Sequence, residues 1–220
     1  MHANSSPVSS NQHHTHPGLP GLLRRHLASR WQKPIADYNR SAFDLLQEAL
    51  AARPRPLVLD SYCGTGYSTT RLAERYSNHL VVGVDKSAQR LAKHVSSGGD
   101  YLLLRAECEP FWLQMVAAGL AVEHHYLLYP NPWPKSVQLK RRVHGHPAFP
   151  LLLALGGSLE LRSNWQLYVE EFGLAVQLAG GRGWVRQLAQ GASLTLFEKK
   201  YRNSGHTLWQ YRGRTPTESP

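Results

Sequence analysis

PLVLDSYCGTGYSTTRLAERYSNHLVVGVD, residues 56–85, is one unit of a repeating pattern. A short apolar run ends in the acid Asp60. Glycines 64 and 66 follow in a tight turn, then a segment of helical period, and a second apolar run that ends in Asp85. Two near-continuous apolar runs joined by a helix describe neighbouring parallel strands, because parallel pairing needs a crossover and buries both faces of each strand.

Strand and helix patterns keep alternating after Asp85. KSAQRLAKHV reads as helix, YLLLRAE as strand, PFWLQMVAAG as helix and HHYLLYP as strand. FPLLLALGG is helical, SLELRS extended and NWQLYVEEFGLAVQLAG a long helix. GWVRQLA and GHTLWQYR end the pattern as a strand pair. The expectation is an α/β Rossmann-like fold, with a mostly parallel seven-stranded sheet and helices on both faces. In such sheets a ligand lies beyond the carboxyl ends of the strands.

Upstream, apolar residues recur at helical spacing from Leu19 to Arg53, with Ser41 as a candidate N-cap. Residues 1–18 are rich in Ser, His, Asn and Pro and read as a disordered polar tail, including His13, His14 and His16. The division is therefore a tail at 1–18, a helical extension at 19–55, the main domain at 56–213 and a flexible tail at 214–220.

Composition narrows the partners. The formal charge of +10 and pI near 9.9 favour a polyanion. The two cysteines, Cys63 and Cys108, have no metal-ligand spacing, so no metal is expected and a reducing cytoplasm fits. No apolar run approaches membrane-spanning length.

Two stretches carry the chemistry. Gly64 and Gly66 allow a ligand close to the backbone, but Thr69 stands where a dinucleotide fingerprint asks for a third glycine. The second is HHYLLYPNPWPKSVQLKRR, residues 124–142. Pro130 must end its strand, which puts Asn131, Trp133 and Lys135 on a stiff loop at the ligand-binding edge.

Asp60, Gly64, Gly66 and Asp85 together resemble class I S-adenosylmethionine-dependent methyltransferases. YPNPWPK with KRR, then LELRSNWQLYVEEF, then TLFEKKYRNSGHTLW, sharpen this to a resemblance to the tRNA (guanine-N7)-methyltransferases. It covers about Leu57 to Tyr211. The resemblance implies S-adenosylmethionine as cofactor and tRNA as partner, with N7 of the variable-loop guanine as acceptor. It places Asp60, Gly64 and Gly66 at the methionine end of the cofactor, Asp85 on the ribose and Glu107 near the adenine. It makes Lys135, Asn164, Thr195, Phe197 and Glu198 substrate contacts, and Lys140, Arg141 and Arg142 holders of tRNA phosphate. Asn131, placed between cofactor and acceptor, stands where the family has Asp. Ser163-Asn164 replaces Thr-Asp, and Gln138 stands where His is common. These losses keep open a catalytically weak tRNA-binding scaffold, or a methyltransferase of another substrate.

Overall fold

The computed structural model describes residues 5–96 and 98–217. Two helices, α1 (Leu19–Leu27) and α2 (Asp37–Ala52), precede the sheet. The alternating part runs β1 (Leu57–Ser61), α3 (Tyr67–Arg75), β2 (Leu80–Asp85), α4 (Ala88–Leu91), β3 (Tyr101–Arg105), α5 (Cys108–Ala117), β4 (His124–Leu128), α6 (Phe149–Ala154) and β5 (Ser158–Ser163). It closes with α7 (Gln166–Leu178), β6 (Arg182–Gln187), α8 (Leu196–Asn203) and β7 (Trp209–Arg214). The seven strands lie in the order β3-β2-β1-β4-β5-β7-β6. Pairing is parallel from β3 through β5 and antiparallel where β7 meets β5 and β6. The expected fold class is the observed one.

Strand period 2 divides the core. Leu57 and Leu59 of β1 face a large cluster with Leu46, Phe111, Phe149 and Phe172 from α2, α5, α6 and α7. Val58 points the other way, into a smaller cluster with Leu72 and Ala73 of α3. The strand order reverses between β1 and β4, so their carboxyl ends open a crevice at the switch point.

The missing third glycine is explained by the neighbouring strand. A Cβ at Gly83 of β2 would meet the Thr69 hydroxyl at 2.2 Å and a Leu103 methyl at 2.7 Å. Helix α3 still packs tightly on the sheet, with the bare position on the strand instead of the helix.

Several expected boundaries move. Helix α2 begins at Asp37, so Ser41 lies one turn inside it and is no cap. KSAQRLAKHV forms only the single turn α4, capped by the Ser87 hydroxyl accepting from Arg90 N–H at 3.2 Å. The N-terminal segment was expected to be disordered, yet its described part is tied down. His206 Nε2 bonds the Ser5 carbonyl at 2.8 Å, Ser10 donates to the Pro134 carbonyl at 2.6 Å, and Asn11 accepts from Ser136 N–H at 3.0 Å. Residues 1–4 of the expected tail lie outside the described residues. At the other end, Arg214 still pairs in β7 and Thr215 is buried, while 218–220 lie outside the described residues.

Gly83→Ala is expected to lose about 1–3 kcal/mol in urea unfolding, the range for forcing an extra methyl into a packed core. Adding Thr69→Ala should restore part of that loss, because it removes the group the new methyl strikes.

Candidate active site

A cavity of about 580 Å³ opens at the switch point. Gly64, Asp85, Glu107, Asn131, Trp133 and Phe197 all line it, from five separate loops.

Asp60 lies behind the glycine turn and is fully buried, and neither it nor Gly66, both expected to hold the cofactor, is in the crevice lining. Its Oδ2 accepts from Ser68 Oγ at 2.6 Å and Thr69 Oγ1 at 2.8 Å, while Oδ1 is buried without a partner. Burial pushes its pKa up to about 6, against the two hydroxyl donors that favour the anion. Gly64 and Gly66 both take left-handed backbone, φ +65° and +77°. A Cβ at Gly66 would strike Leu103, whereas one at Gly64 meets nothing within 4 Å. Gly64 therefore borders open crevice, where a bound molecule can approach the backbone.

Asp85 is held by its own loop. Its Oδ2 accepts from Gly64 N–H at 3.0 Å, and Oδ1 from Ser87 N–H at 2.8 Å and Arg90 at 3.1 Å. A carboxylate has about four acceptor positions, so little remains for a diol until half-exposed Arg90 swings away. Glu107 follows β3 and pairs with Lys33, while Asn39 of α2 bonds both its backbone N–H and its carbonyl. Nothing in the sequence singled out Lys33 or Asn39, because their partner is seventy residues away in the chain. Cys63 lines the crevice, but burial pushes its thiol well up, and it is no nucleophile.

The proline loop after β4 is bracketed by strained residues. Tyr129 and Trp133 have φ of 57° and 47°, which non-glycine residues rarely adopt. Asn131 is exposed, and its Oδ1 accepts from Trp133 N–H at 3.3 Å, closing the turn. Arg141 lies over the Trp133 ring at 4.8 Å.

Arg142 holds this loop, and here a sequence expectation fails. It is not a phosphate contact: its side chain is fully buried. Nε donates to the Trp133 carbonyl at 3.2 Å, one terminal nitrogen pairs with Glu171, and the other reaches Gln12 Oε1 at 2.9 Å and the Lys135 carbonyl at 3.4 Å. The guanidinium also lies over the Trp165 ring at 5.0 Å. Burial alone would raise the Glu171 pKa, but His144, Arg142 and the His16 N–H outweigh it and hold it at about 2.

Glu198 is a second correction. It does not face the crevice: it is buried, with Oε2 on Arg162 at 2.8 Å and Oε1 on Arg202 at 3.2 Å. Its N–H donates to Thr195 Oγ1 at 2.9 Å, so Thr195 caps α8 while lining the crevice. Phe197 stays half exposed beside it. Asn164 lies outside the crevice lining, donating to His206 Nδ1 at 3.1 Å. Lys135 and Lys140 are both exposed, and Lys140 borders the crevice. Gln138 accepts from Lys135 N–H at 3.2 Å and caps the short 3₁₀ turn beyond the loop.

A glycine turn, an acid closing each of the first two strands and one just past the third, and this strand order define a class I S-adenosylmethionine-dependent methyltransferase. Residues 54–211 match the model of a family described as putative methyltransferase, and the chain belongs to that family. The tRNA (guanine-N(7)-)-methyltransferase of Yersinia pestis (strain Pestoides F) is 26% identical over 198 residues, covering 83% of this chain and 81% of the relative. The Sodalis glossinidius protein of the same name is 27% identical over 201 residues, with the same coverage. Among solved structures, the 16S rRNA methyltransferase KamB superposes with a TM-score of 0.58 at 21% identity, covering 86% of this chain and 96% of that one. A 16S rRNA (adenine(1408)-N(1))-methyltransferase from Catenulisporales acidiphilia, bound to its cosubstrate SAM, gives 0.54 at 19%, covering 81% and 93%. The resemblance drawn from the motifs thus holds at the level of family, fold and methyl-transfer chemistry. Among the described residues no helix is long and apolar enough to cross a membrane.

Glu171→Gln should strand the Arg142 charge and cost about 3–5 kcal/mol in chemical denaturation. Because the folded pKa of Glu171 lies below its ordinary 4.5, its contribution is complete above pH 4.5 and disappears as pH falls towards 2. Wild-type stability should therefore drop across that window, and the variant should show a shallower acid limb.

Proposed function

We propose that this protein transfers the methyl group of S-adenosylmethionine to N7 of a guanine in tRNA, the variable-loop guanine being the expected acceptor, in the cytoplasm. One observation carries the reading: the loop of Asn131 and Trp133 and the loop of Thr195 and Phe197 line the same cavity as Asp85 and Glu107. The motifs read as substrate-facing and cofactor-facing converge although 112 residues separate Asp85 from Phe197.

The residues present suit the cofactor. The open space at Gly64 suits its methionine end, while Asp60 stays buried behind the turn and outside the crevice lining. Asp85, freed from Arg90, takes the ribose hydroxyls, and Glu107 stands near the adenine. When bound, S-adenosylmethionine supplies an electrophilic methyl on a sulfonium that is its own leaving group.

Guanine N7 has an in-plane lone pair and no proton, so the chain needs no general base. What it supplies is position: holding nucleophile and methyl in line lowers the barrier by several kcal/mol. Trp133, stiffened by Arg141 and its own turn, and half-exposed Phe197 offer faces against which a base can stack. Asn131 offers its amide to the polar edge of the base. With Glu198 locked to arginines, none of the acids expected at the acceptor remains to offset charge on the ring. Alignment then carries more of the rate than electrostatics. Lys135, Lys140 and Arg141 form the phosphate-facing rim, a sequence-independent contact.

Incubation with labelled S-adenosylmethionine and unmodified tRNA should yield 7-methylguanosine on nucleoside analysis. A different methylated nucleoside, or none, would overturn the assignment. Cofactor and tRNA binding without transfer would favour the scaffold reading.

Asp60 is fully enclosed behind the glycine turn and outside the crevice lining, so its charge acts on the cofactor's ammonium through the turn and not by contact. Because burial raises its pKa to about 6, affinity should be level well above pH 6 and weaken as pH falls through it. Calorimetric titration checks this, and Asp60→Asn should bind weakly with no such slope.

A further inference from the structure

Helix α7 covers one face of the β4–β5–β7–β6 half of the sheet, while on the other α3 packs by Tyr126 and Leu128 and α8 reaches Arg162, leaving open the rows near the amino ends of β4 and β5. Helix α7 packs against β5, β6 and β7 on the side of Tyr211, where Phe172 meets that ring at 5.4 Å. On the opposite face, register and strand alternation line up three rows of side chains. The first is His124, Ser158, Arg214 and Arg182; the second Tyr126, Glu160, Arg212 and Trp184; the third Leu128, Arg162, Gln210 and Arg186. A cavity of about 570 Å³ lies over the first two rows, with Arg75 at the end of α3 and Tyr76 just after it on its rim.

The charge of this face is unbalanced. The three rows hold five arginines and one acid, Glu160, whose two oxygens are taken by Arg162 and Arg212; from adjoining segments Glu198 also pairs with Arg162, and Glu123 faces His79 and His124. Among the described residues Arg75, Arg182 and Arg214 pair with no carboxylate, and all three are exposed. Arg182 and Arg214 stand directly opposite each other across β6 and β7. Like charges in that position destabilise a sheet, and an anion bridging them removes the penalty. Aromatic groups alternate with the cations. Trp184 is 57% exposed, and Tyr76 lies 4.6 Å from the His124 ring on the opposite wall.

We propose that this face is a second contact for the tRNA backbone, with phosphates on Arg75, Arg182 and Arg214 and an unpaired base or ribose against Trp184. The proposal rests on the reading of tRNA as substrate. The geometry suits a large RNA. Along β4 from Asn131 back to His124 is about 20–25 Å at roughly 3.3 Å per residue, less than one turn of a duplex. An RNA with its guanine in the crevice can therefore reach this face. Arginine serves here because its planar, always-charged fork binds phosphate in two-point fashion.

The test uses the double variant Arg182→Glu/Arg214→Glu, with Arg182→Gln/Arg214→Gln as a milder pair, on the full chain with unmodified tRNA transcript. The expected result is tRNA affinity weakened at least tenfold, a salt-dependence slope shallower by about 1.8 for two lost phosphate contacts, and unchanged S-adenosylmethionine affinity. KM for tRNA should rise while kcat at saturating tRNA holds. Unchanged tRNA affinity and slope in both variants overturn the proposal, even if the wild type makes 7-methylguanosine. A change in sedimentation with tRNA affinity intact also overturns it, in favour of contact between copies of the chain. Failure of the wild type to methylate tRNA is a separate result and removes the reading on which the proposal stands.

Discussion

The buried pair of Arg142 and Glu171 supports most of what is unusual here. A loop containing Pro130, Pro132 and Pro134 has few N–H groups of its own, and its carbonyls need donors from elsewhere. Arg142 donates to two of them, at Trp133 and Lys135, and keeps its charge compensated by Glu171. Glu171 in turn accepts from Gln12 and the His16 N–H, which holds the N-terminal segment across the same region. A buried guanidinium is costly unless its donors are matched, and here Trp133, Lys135, Glu171 and Gln12 supply the acceptors. The proline loop, helix α7 and the N-terminal strap are thereby one polar unit.

The cofactor side depends on close approach. Thr69 reaches Asp60 only because β2 is bare at Gly83, and that bond leaves one Asp60 oxygen unpartnered beside the glycine turn. Burial of this carboxylate raises its pKa, and the same burial keeps it out of the crevice lining. Asp85 is in the opposite condition. Three donors already occupy it, and it works on a ligand only by exchanging Arg90.

Replacing carboxylates by Asn131 and Asn164 has unequal consequences. Asn131 sits at the crevice with its oxygen partly engaged by the turn. Asn164 lies outside the crevice lining and links β5 through His206 to Ser5, so its amide serves packing between segments. For a nucleophile without a proton, loss of a carboxylate weakens charge compensation and leaves alignment intact. Stiffness of the loop then matters more, and the strained Tyr129 and Trp133 are where that stiffness is stored.

The fold was legible in the sequence because its signals are local. Apolar runs, helical period and turn glycines act within a few residues, and their alternation admits few topologies. The strand-end acids Asp85 and Glu107 and the loops of Asn131 and Phe197 were legible for a related reason, since strand ends in such a sheet share one edge. Burial was not legible. KRR reads as three equivalent cations, yet Lys140 and Arg141 are exposed while Arg142 is enclosed, because Glu171 arrives from a helix 29 residues away. Glu198 looked like a site acid until Arg162 claimed it from another strand. The polar N-terminal segment shows no apolar period, and only tertiary hydrogen bonds hold its described part in place. The sequence by itself determined the order of elements and the crevice, while the pairing of charges distant in the chain was decided only by tertiary structure.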